Sequence, residues 1–196
     1  MSRMNILRDH ALRSNAENLR RARRSPTWFS RAATTNLDTV DRENRTINAV
    51  IATENPVVFY DYGSRRVMRE VLVAAGGRLS PWVPLLNSHQ SWDLQSSLGS
   101  VLESKMIKAE ITARLQFSST ADVDPIWQRV RDGHLRMISI GGRRLTFTDI
   151  EPGQSAEIAG RRWVAGKQPL RVTTQWIQRE ASVVIFGADG GASTDI

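Results

Sequence analysis

Cysteine is absent from this chain, and with it go disulfide bridges, thiolate metal sites and a cysteine nucleophile. Histidine is scarce too. His10, His89 and His134 are scattered and do not join clustered Asp or Glu at zinc-ligand spacing, so neither a metal nor a cofactor is expected. No stretch approaches the roughly 18 consecutive apolar residues of a membrane span. The N-terminus carries arginines but not the apolar segment of a secretory signal. These absences suggest an intracellular, metal-free protein without a membrane partner. The 196 residues allow one domain with a proper core, and 40% hydrophobic with 24% charged residues is ordinary for a soluble globular chain.

The net charge of +7 is concentrated at one end. Residues 1–31 hold eight arginines (Arg3, Arg8, Arg13, Arg20, Arg21, Arg23, Arg24, Arg31) against Asp9 and Glu17, a local charge of +6. The rest carries 19 basic against 18 acidic side chains, so the basicity belongs to an arm and not to the folded body. Such an arm can bind an acidic partner or nucleic acid through counterion release, or stay solvated and partly disordered. Ile6, Leu7, His10 and Ala11 also permit a short helix. The expected division is an arm over 1–40, a folded domain over 41–190 and a tail over 191–196.

Beyond the arm the pattern is mainly β. Ile107, Ala109, Ile111, Ala113, Leu115 and Phe117 alternate with polar residues, which predicts a strand with one buried face. Leu98 to Glu103 is its expected hairpin partner, with the turn at Ser104-Lys105. Thr46 to Ala52 reads as a strand, Val57 to Tyr60 as a strand or bulge, and Val67 to Ala74 as either helix or strand. Residues 121–133 predict a helix, with Asp122 or Asp124 as cap, Pro125 in the first turn and Gly133 as the stop. His134 to Ile140 and Arg144 to Ile150 read as two strands separated by glycines, and strands also follow in Trp163–Val164, Leu170 to Gln178 and Ala181 to Phe186.

Three residue types with catalytic potential stand at element edges: Ser139, His89 and Glu180. A hydroxyl nucleophile needs a base, and the base needs an orienting group. By themselves the residues also suit plainer roles: a small polar residue at a strand end, a loop histidine satisfied by Asn87 or Asp93, and a strand carboxylate paired with Arg179 or Arg171. Asp93 and Asp149 are substitutes for the third group.

Three blocks occur in a telling order. They are Val83-Pro84-Leu85-Leu86-Asn87-Ser88-His89 with Leu98-Gly99-Ser100-Val101, then Leu135-Arg136-Met137-Ile138-Ser139-Ile140-Gly141, then Trp176-Ile177-Gln178-Arg179-Glu180-Ala181-Ser182-Val183-Val184. The set resembles the histidine, "S-x-G" and "W-x-x-x-E-x-S-x-V" blocks of the phage prohead maturation proteases, serine peptidases distantly similar to herpesvirus assemblins. The likeness covers roughly residues 45–190. It departs from the family at Gly187-Ala188-Asp189, where Pro-Ala-Asp is usual, and at Gln154 to Lys167, which reads as an insertion.

The resemblance implies an α+β, mainly β fold with a barrel-like, mostly antiparallel sheet and a few peripheral helices. It implies Ser139 as nucleophile, His89 as base and Glu180 as orienting carboxylate. Gly141-Gly142 would offer backbone N–H groups to an oxyanion, and Arg143 or Arg144 a charge, as an arginine-bearing loop does in assemblin-like proteases; a solvated basic turn is the alternative. The implied activity is endopeptidase cleavage of phage scaffold and major capsid protein segments, and of itself, in the bacterial cytoplasm inside an assembling prohead. A homo-oligomer is compatible with this. The alternatives are a catalytically inactive structural or scaffold-associated capsid protein, and a nucleic-acid-binding module acting through the arm.

Overall fold

Ile111, Ala113, Leu115 and Phe117 are buried while Arg114 and Gln116 face solvent, so the alternation seen in the sequence does build a one-sided strand. It belongs to a computed structural model that describes residues 28–186. The strands are β1 (Trp28–Asp41), β2 (Thr46–Thr53), β3 (Val57–Asp61), β4 (Arg66–Leu72), β5 (Gly77–Arg78), β6 (Trp82–Asn87), β7 (Ser97–Ile107), β8 (Glu110–Phe117), β9 (Met137–Ile150), β10 (Ser155–Ile158), β11 (Arg161–Val164) and β12 (Leu170–Val184). One α-helix, α1 (Asp124–Arg131), occurs among the described residues.

Ten strands form one large, mostly antiparallel sheet in the order β3-β4-β12-β6-β7-β8-β2-β1-β9, with β5 also on β12. β12 is its spine: β9 runs antiparallel along one side, and β4, β5 and β6 pair with it in parallel, in turn, on the other. The fold is mainly β as expected; β9 pairs with both β1 and β12, so the sheet curls back on itself, but β3 and β4 lie outside that curl and the ten strands do not make one closed barrel. The core holds Ile47, Leu85, Leu115, Ile138, Ile140 and Trp176, with the Trp176 ring edge-on to Phe29 at 5.6 Å. Residues 154–167 contain the separate β10–β11 hairpin.

Several boundaries differ from the sequence reading. β1 begins at Trp28, so residues 28–40 lie in the sheet between β2 and β9 and not in a basic arm. Arg31 is buried there and pairs with Glu70. Residues 1–27 and 187–196, including most of the arm and the whole tail, lie outside the described residues. β7 runs through Ser104-Lys105, where Glu103 at φ +53° and a register shift mark a bulge; the hairpin turns at Lys108-Ala109 instead. The Val67 to Ala74 segment is strand β4 followed by a 3₁₀ turn over Ala74–Gly76. Helix α1 is preceded by Val123, which supplies no side-chain cap, and Asp124 is bonded to Arg45 instead. The two strands expected around Gly141-Gly142 are one continuous strand, β9, and His134 lies in the loop before it.

Candidate active site

Strand alternation fixes the faces of the site. In β9, Ile138 and Ile140 join the core, and so do Ala181 and Val183 in β12. Ser139, Glu180 and Ser182 therefore project from the opposite face of adjacent strands. The antiparallel register sets Ser139 beside Ser182, and the parallel register on the other side of β12 sets Ser182 beside Leu86 in β6. The chain leaves β6 two residues before His89.

That exit is a tight turn. The Gln90 N–H donates to the Asn87 carbonyl at 2.9 Å, and both central residues, Ser88 (φ +49°) and His89 (φ +60°), lie in the left-handed region. Two positive φ values mark a turn of the I′ kind, which glycine and asparagine usually occupy. For other residues each such conformation costs on the order of 1–3 kcal/mol. Two further bonds to β12 offset that cost: Ser88 N–H to the Val183 carbonyl at 3.0 Å, and His89 N–H to Ser182 Oγ at 3.0 Å. The turn folds the imidazole back over β12.

There it bridges the other two predicted groups. His89 Nε2 is 2.8 Å from Ser139 Oγ, and His89 Nδ1 is 2.6 Å from Glu180 Oε1. Glu180 Oε2 accepts from the Ser182 hydroxyl at 2.6 Å. Ser139 and Glu180 are buried, whereas the His89 side chain keeps 17% exposure, so one edge of the imidazole reaches solvent. An ionised carboxylate can only accept a hydrogen bond. The proton therefore belongs on Nδ1, and the Nε2 lone pair is directed at the serine hydroxyl. This arrangement can draw a proton from Ser139 as its oxygen attacks an electrophile.

The rival partners are occupied elsewhere. Asp93 accepts from the Gln95 N–H, Asp149 holds Arg171 through two contacts of 2.7 Å, and Arg179 is exposed.

The four residues assigned to an oxyanion or substrate role separate. Gly141 and Gly142 lie within β9, paired on both sides by β1 and β12, and not at an open loop. Their lack of side chains makes room. A Cβ on Gly141 would stand 1.7 Å from Glu180 Oε1, and one on Gly142 would stand 2.6 Å from the Phe29 ring. Arg144 is buried and donates to Glu70 at 2.5 and 2.6 Å. Only Arg143 is exposed, on the same face of β9 as Ser139. Four residues of strand put their Cα atoms roughly 13 Å apart.

Gly141→Ala is accordingly expected to drive the Glu180 carboxylate off the imidazole. Ser139 reactivity toward a fluorophosphonate should fall about 10²-fold or more, the scale of an ångström-sized misplacement. Thermal melting of the same variant reports whether the sheet itself survives the substitution.

Ser182 was not singled out as functional by sequence reasoning. Its signal was available: an alternate-residue spacing from Glu180 puts both side chains on one face of a strand. Among the described residues no group of His, Cys, Asp or Glu is arranged to hold a metal ion, and no helix is long and apolar enough to cross a membrane. Compared with protein-family models, curated proteins and solved structures, the chain gives no significant match.

Proposed function

We propose that the protein is a serine endopeptidase of phage prohead maturation, cutting scaffold and capsid-protein segments and its own chain. The hydrogen-bonded series Glu180–His89–Ser139 carries the hydrolase part of this reading. The ordered resemblance of the His89, Ser139 and Glu180 blocks to prohead proteases supports the substrate class and the setting, a prohead assembling in the bacterial cytoplasm. The curled sheet with β12 as its spine is compatible with an assemblin-like, barrel-derived fold.

In the proposed reaction, Ser139 Oγ attacks the scissile carbonyl while His89 Nε2 takes its proton. The tetrahedral adduct collapses as the imidazolium returns that proton to the leaving amine, giving an acyl-serine. Water then enters by the same route, with His89 again as base, and the acid product leaves. Glu180 accepts from Nδ1–H throughout and stabilises the imidazolium. Arg143 serves to hold the extended peptide, and the arginine-rich segment before β1 attracts an acidic scaffold.

The test is mass spectrometry of scaffold and major capsid protein co-expressed with the wild-type chain or with Ser139→Ala. Fragments are expected only with the wild type. Intact substrates in both cases would replace this reading with that of a structural, scaffold-associated capsid protein. Cleavage that persists in Ser139→Ala would remove Ser139 as the nucleophile.

A further inference from the structure

Ser182 lies between the two halves of the site, and its hydroxyl is committed on both sides. The residue is fully buried. It accepts from the His89 backbone N–H at 3.0 Å and donates to Glu180 Oε2 at 2.6 Å. A backbone N–H can only donate, so the hydroxyl oxygen must accept there, and its own hydrogen must go to the carboxylate. The polarity of the whole loop follows: His89 N–H to Ser182, Ser182 O–H to Glu180, and His89 Nδ1–H to the other oxygen of Glu180.

Two soft degrees of freedom are closed by this single hydroxyl. The terminal carboxylate torsion of a glutamate is broad and, left alone, turns readily; the bond to Oε2 fixes its plane with Oε1 facing Nδ1. The turn over Asn87–Gln90, with two non-glycine residues at positive φ, gains a side-chain anchor directly under His89. No other side chain in the described residues bonds both His89 and Glu180.

We infer that Ser182 is a positioning residue that fixes the tautomer and aim of the His89 imidazole by holding the His89 turn and the Glu180 carboxylate at once. This builds on the peptidase reading above, but the imidazole geometry can be measured without turnover.

The experiment combines two readouts on the full chain. The ¹⁵N resonances of the imidazole, recorded at pH values where it is neutral, give the His89 tautomer. The second-order rate of labelling by a fluorophosphonate gives the reactivity of Ser139. Wild type is expected to hold the Nδ1–H tautomer. In Ser182→Ala the two tautomers should mix, and labelling should slow about 10–100-fold, the scale seen when an outer orienting partner is lost. Ser182→Cys separates bonding from packing, because a thiol, slightly larger than the hydroxyl, leaves no cavity but is a weak donor and acceptor. It is expected to behave like Ser182→Ala. A Cys variant with the wild-type tautomer and labelling rate would overturn the assignment and leave Ser182 as packing. A wild-type chain that is never labelled, while Ser182→Ala still mixes the tautomers, would sink the peptidase reading and sustain the positioning role.

Discussion

Exchange of His89 for alanine is expected to lower the proposed peptide hydrolysis by roughly 10⁶-fold, the scale of losing the base in a concerted serine–histidine unit. The serine alone is a poor nucleophile, and among the described residues the one side-chain base bonded to it is His89, whose Nε2 is 2.8 Å from its oxygen. Glu180→Gln should cost less, roughly 10⁴-fold, by the tautomer argument. The amide keeps the shape of the carboxylate but can turn its NH₂ toward Nδ1, which would move the ring proton to Nε2 and leave nothing to accept from Ser139. The pairwise pattern is the stronger check. Ser139→Ala with His89→Ala should be no slower than either alone, because each already abolishes the same step. Initial rates on a scaffold-derived peptide measure the wild type and all four variants. Losses that simply add would mean that the two side chains act separately, despite their hydrogen bond.

What could be read in the sequence followed from how local each signal is. The β8 strand was legible because period-two alternation is a property of neighbouring residues. Its start was not, because Ile107 and Ala109 continue the alternation through a turn that puts Lys108 at φ +57°. Ser139, His89 and Glu180, which the fold brings into hydrogen-bond contact, were legible as three blocks. The loop that delivers His89 was not: Asn87-Ser88-His89-Gln90 holds two positive-φ residues without a glycine to announce them.

Glycine misled in the opposite direction. Gly141-Gly142 reads as punctuation, and the expected strand was cut there. The fold uses the missing side chains for close approach: Glu180 lies over Gly141, and Phe29 lies against Gly142 inside an unbroken strand. The arginines misled for a related reason. Counting charge groups Arg31 with an arm and Arg144 with a basic turn, but both are buried against Glu70, which lies 39 residues from one and 74 from the other. No local pattern in a sequence announces a partner at that separation.

That buried cluster should dominate the stability of the molecule toward acid. Glu70 is fully buried and accepts from Arg31, from two nitrogens of Arg144, and from the Thr173 hydroxyl at 2.5 Å. Burial alone would raise its carboxyl; the Arg31 charge and the Arg144 hydrogen bonds outweigh it and hold the group down, from 4.5 to about 2. A depressed folded-state value means that the stabilisation is fully present above the unfolded value. It is lost as pH falls from about 4.5 toward 2. On the usual conversion that window is worth about 3 kcal/mol. Glu70→Gln leaves two buried guanidinium groups without their carboxylate and is expected to cost about 3–5 kcal/mol at neutral pH. Urea unfolding at pH 7 and pH 3 tests both statements. Wild type should weaken between them, and Glu70→Gln should start weaker and lose about 2 kcal/mol less over the same interval, since pH 3 has not yet reached the folded-state value. The cluster joins β1, β4, β9 and β12, and the last two carry Ser139 and Glu180. Loosening it should therefore disturb the register that sets Ser139 beside Ser182, and Ser139 labelling should decline with acid before global unfolding does. An unchanged stability difference between pH 7 and pH 3 in Glu70→Gln would place the acid-sensitive group elsewhere, with Asp61, held low beside Ser64 and Arg171, the next to replace.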